Sequence, residues 1–436
     1  MAEQITARRL AFHSLLKCHR DKKYSNIELD SVISKNKLDP RERALLTALV
    51  YGVIEKRITL DFIISRLSSR PLDDIVPAVM TALEMGIYQI LYFDRVPDSA
   101  ACNESVEIAK KTAGNGAANF VNALLRETVR RKDSIFSLFD GLEENERMSV
   151  EYSVPVWMVK LFTNCYGREK AVEILQAFGG KSYMTLHANT LKITPQQLTQ
   201  RLEADGIKAV CREDVKSAVE LMQNVPITAL SGYEGLYFIQ DAASQLAVQK
   251  LGAKPGDTII DCCACPGGKS IACALDMNNS GKILSMDLHK NKLSLIEKSA
   301  GLMGVDIITT LEHDGTQPLD EYIGKADKVV CDVPCSGLGV VHKKPDIRHK
   351  SPEDIARLPQ TQKKILAASA QYLKVGGRLL YSTCTLNKAE NEDITDEFLS
   401  ESPSFKRIFS TTLFPVLKDE MVQNDGFYID VLERVM

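Results

Sequence analysis

The sequence predicts a multidomain protein, with an all-α bundle first, a small α+β domain next and an α/β domain last. Apolar residues recur at helical spacing near the start, helix and strand patterns mix in the middle, and strands alternate with helices from Gly235 onward. The 436 residues also exceed what one compact core usually supports. We place the domains at residues 1–138, 150–234 and 235–436.

The first domain is predicted to be helical throughout. Leu46, Leu49 and Val50 recur on one helical face. Asp39 before Pro40 is a typical helix start, because aspartate caps the first backbone N–H groups and proline suits the first helical position. The domain contains no glycine-rich loop and no metal-ligand spacing, so its residues alone assign it no chemistry.

The middle domain follows a polar, acidic linker at 136–150 and mixes the two patterns. Pro155-Val156-Trp157 opens a predicted helix, residues 184–189 form a predicted strand, and Pro195 starts another helix. This mixture indicates a small α+β domain.

The last domain shows regular alternation of strands and helices. Its strands are predicted at 258–262, 282–286, 307–311, 328–333 and 378–382. The alternation predicts βαβ units and a mostly parallel sheet covered on both faces. Ligands of such sheets bind at the carboxyl ends of the strands.

Bulk composition excludes several classes of protein. The net charge of −3 gives no global basic excess, and no apolar run is long enough for a membrane span. The N-terminus lacks the basic-then-apolar order of a secretory signal. We therefore expect a cytoplasmic protein whose eleven cysteines are reduced, and a monomer by default.

A glycine-containing turn follows the first strand of the predicted sheet. It reads Cys263-Ala264-Cys265-Pro266-Gly267-Gly268-Lys269, and a helix begins at once. Paired glycines let the backbone approach a ligand. The spacing is neither that of a P-loop nor G-x-G-x-x-G, and the turn alone could be a simple tight connection.

Carboxylates follow three successive strands, with Asp261 the first of them. Asp287 lies about 20 residues beyond the glycines, where an acidic residue can accept hydrogen bonds from ribose hydroxyls. Asp314 could hold an adenine amino group, or it could cap the following helix. Together these residues indicate a nucleoside cofactor.

Two cysteines follow the next two strands, in Asp332-Val333-Pro334-Cys335-Ser336-Gly337 and in Ser382-Thr383-Cys384-Thr385. Either thiol could be a small core residue, since cysteine is often buried. A metal site on this pair would need further ligands at typical spacing. A thiol or metal site on Cys262, Cys263 and Cys265 is a separate alternative, although the Pro-Gly-Gly turn directly after them fits a cofactor better. The residues alone therefore give two thiols and Asp332 beside the cofactor, and do not rank Cys335 against Cys384.

These motifs resemble the RNA (cytosine-C5) methyltransferases of the Sun/NOL1/NOP2 type, over roughly residues 150–436. The diagnostic pieces are the 263–269 turn and the two cysteine motifs. The front of the chain resembles the NusB-like RNA-binding domain, through Asp39-Pro40-Arg41-Glu42-Arg43-Ala44-Leu45 and Asn119-Phe120-Val121-Asn122-Ala123-Leu124-Leu125-Arg126. The last domain would then have the Rossmann-like class I methyltransferase fold.

The resemblance implies S-adenosylmethionine as the cofactor, held by residues 263–269 at its methionine part, by Asp287 at its ribose and by Asp314 at its adenine. Asp332 would contact the target cytosine beside the cofactor. Cys384 would attack the base and Cys335 would assist its release. The implied substrate is 16S rRNA, with tRNA as the main rival and an inactive RNA-binding scaffold as the alternative from another class.

The chain departs from the family pattern at two positions. Cys265 stands where the family usually has alanine, a small change that the turn should tolerate. His187-Ala188-Asn189 stands where the family usually has Arg-Val-Asn. If the arginine contacts RNA, a neutral histidine would do so more weakly. Phe427 and Tyr428 could stack on a base, although packing in the core is the favoured interpretation.

Overall fold

The computed structural model describes residues 6–21, 24–223 and 225–436. The chain divides into two compact units. The first comprises Met1–Leu161 with Lys344–Lys350, and the second comprises Phe162–Lys343 with Ser351–Met436. The chain therefore enters the first unit twice. The domain limits predicted from the sequence stay predictions.

Helices form the first unit. They are α1 (Ala7–Asp21), α2 (Ser25–Lys35), α3 (Pro40–Leu67), α4 (Pro77–Tyr92), α5 (Asp98–Arg130), α6 (Glu144–Tyr152) and the start of α7 (Val156–Tyr166). Asp39 caps α3 as predicted, since its side chain accepts hydrogen bonds from the N–H groups of Arg41 and Glu42. Leu49 and Val50 are fully buried in the core of this bundle, which confirms the predicted helical fold.

The segment Lys344–Lys350 belongs to the first unit through specific bonds. Nη1 of Arg348 donates to the carbonyl oxygens of Tyr152, at 2.8 Å, and Ser153, at 3.1 Å. These carbonyls lie at the end of α6. Burial lowers the pKa of Arg348 to about 10.

A small α+β domain opens the second unit. Its elements are α8 (Arg168–Ala177), β1 (Lys181–Ser182), β2 (Met184–Ala188), α9 (Pro195–Ala204), β3 (Ala209–Cys211), β4 (Ala218–Leu221) and β5 (Tyr237–Ile239). Four of these strands pair antiparallel in the order β3-β4-β2-β5. Thr194 and Gln197 form a capping box at the start of α9. The predicted α+β class is confirmed here.

The rest of the second unit is an α/β domain. Its elements are α10 (Ala242–Leu251), β6 (Thr258–Asp261), α11 (Gly268–Asp276), β7 (Lys282–Asp287), α12 (Lys290–Met303), β8 (Ile308–Glu312), β9 (Ala326–Asp332), α13 (Pro352–Ile355), α14 (Leu358–Ala370), β10 (Leu373–Thr383), α15 (Glu392–Glu401), β11 (Phe405–Leu413), β12 (Leu417–Lys418), β13 (Met421–Val422) and β14 (Phe427–Arg434).

The large sheet of this domain has the strand order β11-β14-β10-β9-β6-β7-β8. The five predicted strands are present as β6 to β10 and pair in parallel. β14 runs antiparallel to both β10 and β11. The predicted parallel sheet is confirmed, and the antiparallel edge is an addition that the sequence pattern did not indicate.

Both faces of the central strands are buried. Val330 and Leu380 lie in one apolar cluster, while their neighbours Val329 and Leu379 lie in another. This alternation follows from the twofold repeat of a strand, and it explains why these strands read as continuous apolar runs. The carboxyl ends of β6 to β10 consequently share one edge of the sheet. Within the described part of the chain, no helix is both long and apolar enough to cross a bilayer.

Candidate active site

The turn between β6 and α11 is built on two glycines. Gly267 has φ of 104° and caps α11, which begins at Gly268. A Cβ on Gly267 would lie 3.1 Å from Ile296, and one on Gly268 would lie 3.2 Å from Nε2 of Gln240. Both glycines therefore serve internal packing, which adds to the ligand approach expected from the sequence. The start of α11 offers the positive end of a helix dipole to an anionic group.

Asp287 and Asp314 each leave one carboxylate oxygen open. Oδ1 of Asp287 accepts a hydrogen bond from the N–H group of His289 at 2.9 Å, and Oδ1 of Asp314 accepts two from Thr316. In the described residues no donor reaches either Oδ2. The hydrogen bonds from Thr316 lower the pKa of Asp314. The open oxygens fit the hydroxyl and amino donors of a nucleoside.

Asp261 ends β6 and is buried. Its Oδ2 accepts a hydrogen bond from Oγ of Ser270 at 2.6 Å, and Ser285 donates in turn to Ser270 at 2.7 Å. Burial raises the pKa of Asp261 to about 7, despite the hydrogen bond from Ser270. This chain of hydrogen bonds ties β6, α11 and β7 together behind the glycine turn.

Asp332 ends β9, and both of its carboxylate oxygens have partners. Oδ2 pairs with Nζ of Lys269 at 2.7 Å, and Oδ1 accepts a hydrogen bond from Oγ of Ser382 at 2.7 Å. Lys269 stands on the first turn of α11, and its Nζ also lies 5.3 Å from the centre of the Phe427 ring. The ion pair therefore joins the glycine turn to the strand ends that carry the cysteines.

Cys335 and Cys384 lie in contact, with 3.3 Å between their sulfur atoms. Both thiols are therefore available to one bound molecule at neighbouring strand ends. The hydrogen bond with Cys384 and burial raise the pKa of Cys335 well above its usual range, and the negative charge of Glu390 raises it further. Cys335 consequently keeps its proton at neutral pH and can donate it toward the sulfur of Cys384.

Two glycines hold the cysteine loops close together. The N–H group of Gly339 donates to the carbonyl oxygen of Cys384 at 3.0 Å, and that of Gly426 donates to the carbonyl oxygen of Gly339 at 2.8 Å. A Cβ on Gly339 would lie 1.9 Å from the carbonyl oxygen of Gly426. Only glycine fits at this crossing.

The geometry changes one interpretation from the sequence and agrees with another. His187 is buried beside Gln240, 2.8 Å away, and stacks on Phe238, so it does not offer its ring to RNA as considered. Burial lowers the pKa of His187 to about 4. Phe427 and Tyr428 are buried on β14, in agreement with the core packing that was favoured.

Two lysines of the second unit that could serve as cations for a thiolate have carboxylate partners. Lys269 pairs with Asp332, while Nζ of Lys343 lies 2.7 Å from both Asp241 and Asp425. Lys344 belongs to the first unit. Cys262, one of the thiols weighed for a metal site, is buried in the sheet core. The described residues contain no group of three or more His, Cys, Asp or Glu that could hold a metal ion.

Sequence reasoning missed three residues of this site. Ser382 lies inside a quoted motif but received no role, and Gly339 was not singled out. Glu390 lies outside every motif used. Its one available signal is the mostly polar run Asn387–Asn391, which is separated from the end of β10 by three residues and is also typical of an ordinary loop.

Family comparisons cover most of the chain. Residues 248–429 match the 16S rRNA methyltransferase RsmB/F family, residues 5–130 the NusB family, and residues 154–228 the RsmF/B-like, ferredoxin-like domain. A Bacillus subtilis protein named probable ribosomal RNA small subunit methyltransferase B is 35% identical over 443 residues, 98% of each chain. The chain belongs to the RsmB/F methyltransferase family. A Vibrio cholerae member, ribosomal RNA small subunit methyltransferase B, is 30% identical over 92% of each chain.

Solved structures agree with this family fold. The crystal structure of PH0851 superposes with a TM-score of 0.79 at 24% identity, covering 99% of this chain and 100% of the other. A methyltransferase homolog protein from Pyrococcus horikoshii gives 0.58 at 24% identity, covering 67% of this chain and 100% of the other. The predicted order of NusB-like, small α+β and Rossmann-like methyltransferase domains is confirmed, and the middle domain is ferredoxin-like.

Proposed function

We propose that this protein transfers a methyl group from S-adenosylmethionine to carbon 5 of a cytosine in 16S rRNA through a covalent adduct with Cys384. The observation that carries the proposal is the contact of the Cys384 and Cys335 thiols at 3.3 Å. These cysteines follow β10 and β9, and β9 ends at Asp332, which pairs with Lys269. Membership of the RsmB/F family supports rRNA as the substrate.

The residues at the other strand ends fit the cofactor. The first turn of α11, together with Cys263, Ala264, Cys265 and Pro266 before it, would hold the methionine part. Asp287 would accept hydrogen bonds from the ribose and Asp314 from the adenine, through oxygens that no described residue uses. When bound, S-adenosylmethionine supplies an electrophilic methyl group on a sulfonium.

We assign the two thiols different roles from the family membership and from their environment. The raised pKa of Cys335 favours its protonated form, and its S–H group lies where it can donate to the sulfur of Cys384. The sequence motifs alone could not provide this ranking. It supports Cys384 as the nucleophile and Cys335 as the group that acts later.

Carbon 5 of cytosine is a weak nucleophile until a thiolate adds to carbon 6. The Cys384 sulfur forms the C–S bond, ring electrons move toward carbon 5, and ring nitrogen N3 takes a proton from the Lys269–Asp332 pair. Carbon 5 then accepts the methyl group. Once Cys384 is a thioether it no longer raises the pKa of Cys335, which can then release its own proton to solvent and, as a thiolate, remove the carbon 5 proton. Expulsion of the Cys384 thiolate releases the product, and N3 returns its proton.

Replacing the nucleophile tests the first step. We expect Cys384→Ala to lose methyl transfer by more than ~10⁴-fold, because no adduct forms, while S-adenosylmethionine binding measured by calorimetry stays within about twofold. Cys211→Ala is the matched control, since this cysteine lies on β3 in the four-stranded sheet of the small α+β domain. Full activity in Cys384→Ala would sink the mechanism.

Replacing the releasing thiol tests the last step. Cys335→Ala should still form the adduct but fail to resolve it, so that a protein–RNA complex survives on a denaturing gel. Its absence under conditions where the cofactor binds would contradict a release role for Cys335.

The RNA class is tested in cells. Bisulfite sequencing of 16S rRNA and tRNA, with and without the gene, should show one protected cytosine lost from 16S rRNA alone. Loss of a tRNA signal instead would assign the rival substrate, and no loss in either RNA would support the RNA-binding scaffold.

A further inference from the structure

Glu390 is a buried carboxylate without a cationic partner among the described residues. It ends a short turn of 3₁₀ helix, Lys388–Glu390, and its side chain is fully buried. Burying a charge costs free energy unless it is well hydrogen-bonded. A fully buried carboxylate therefore needs specific hydrogen-bond partners, and these partners indicate its role.

Four hydrogen bonds satisfy this carboxylate. Oε1 accepts from Oγ of Ser336 at 2.5 Å and from Nδ2 of Asn387 at 3.0 Å. Oε2 accepts from the N–H group of Ser336 at 2.9 Å and from Nε2 of Gln362 at 3.0 Å. Three of the four partners are backbone or amide N–H groups, which can only donate, so both oxygens of the carboxyl group act as acceptors.

These bonds connect the two cysteine loops. Ser336 directly follows Cys335, and Asn387 lies three residues after Cys384. Gln362 also donates to the carbonyl oxygen of Pro334 at 2.8 Å, which fixes the other side of Cys335. Glu390 thus holds the Cys335 loop through Ser336, and it holds the Cys384 loop through Asn387 in the turn that follows that cysteine.

We propose that Glu390 is the positioning residue that sets the contact between Cys335 and Cys384. This inference rests on the proposed function, because it concerns how the same two thiols divide their roles. Glu390 touches neither substrate nor cofactor in this proposal. It acts only through the loops and through its electrostatic effect on Cys335.

The test compares Glu390→Gln with the wild-type protein. Glutamine keeps the size of the side chain but removes the charge and turns one acceptor into a donor that faces other donors. We expect kcat to fall by about 100-fold, with KM for RNA and S-adenosylmethionine affinity within about threefold, because misplaced catalytic groups affect chemistry more than binding. Glu397→Gln is the matched control, since Glu397 is an exposed residue of α15 that pairs with Lys363.

A second readout does not depend on methyl transfer. Limited alkylation with iodoacetamide at pH 8, followed by peptide mass spectrometry, gives the ratio of modified Cys335 to modified Cys384. This ratio should rise at least threefold in Glu390→Gln, because Cys335 loses the charge that retains its proton. An unchanged ratio together with wild-type kcat would overturn the proposal.

Two further measurements separate the possible failures. If Glu390→Gln does not fold, Ser336→Ala breaks the same link from the other loop and should raise the same alkylation ratio; no change there overturns the proposal. If Cys384→Ala remains active, the proposed function fails, whereas an altered alkylation ratio in Glu390→Gln would still support control of the thiols by Glu390.

Discussion

At the scale of single residues, buried ionisable groups set the chemistry of this protein. Cys384, burial and Glu390 raise the pKa of Cys335, while Asp332 pairs with Lys269. The sequence could indicate Cys335, Cys384 and Asp332, because each ends or follows a strand of one parallel sheet. It could not indicate Glu390, whose partners come from two other segments and meet only in the fold.

Asp261 leads to a prediction about stability and pH. Its pKa is about 7 in the folded protein, against 3.8 for an unperturbed carboxyl. The stability contributed by its protonated form is full below about pH 4 and is lost as pH rises through 7, by roughly 4 kcal/mol at most. We expect Asp261→Asn to show a smaller fall in Tm between pH 5 and 8 than the wild-type protein.

The exposed Asp306 provides the control, because Asp306→Asn should leave the pH profile of Tm unchanged. A wild-type profile in Asp261→Asn would mean that this carboxyl does not titrate in that range.

At the scale of elements, close backbone approaches decide which loops can form the site. Parallel strands and their helices were predictable because apolar runs and βα turns repeat along the chain. The antiparallel strands β11 and β14 were not predictable in this way. β14 follows polar loops instead of a helix, and the irregular burial of β11 gives no regular alternation to detect. The crossing of Gly339 and Gly426 was equally hidden, because nothing in the sequence tells which distant backbones meet.

Gly339→Ala tests the crossing. Its Cβ would meet a backbone oxygen at 1.9 Å, so the Cys384 loop or the Gly426 loop must move. We expect destabilisation of about 1–3 kcal/mol in urea unfolding and a loss of kcat of at least 100-fold. Gly301→Ala is the control. It has no neighbour within 4 Å on α12 and should be neutral or more stable by up to about 1 kcal/mol. Equal behaviour of the two variants would show that the crossing is not tight.

At the scale of the whole molecule, the fold class and the order of the domains could be predicted, since each domain has its own periodicity. The double entry of the chain into the first unit could not. Residues 344–350 contain prolyl, charged and apolar residues in no regular pattern, and their place depends on the carbonyl partners of Arg348.

Arg348→Lys tests this segment. A lysine cannot reproduce the planar guanidinium that donates to Tyr152 and Ser153, although it keeps the charge. We expect a loss of about 2–3 kcal/mol in unfolding free energy, because the carbonyls of Tyr152 and Ser153 lose a charged donor. The neighbouring Lys350→Arg should change little. A Tm for Arg348→Lys equal to that of the wild-type protein would contradict a stabilising role.

The same segment has a consequence for synthesis on the ribosome. The first unit is mostly translated by residue 161, but Arg348 and its neighbours leave the ribosome almost 190 residues later. Until then the carbonyls at the end of α6 lack their guanidinium partner. The helical unit therefore lacks these hydrogen bonds while most of the second unit is being translated. The N-terminal fold is therefore completed only after residues 344–350, which follow the Cys335 loop, have been translated.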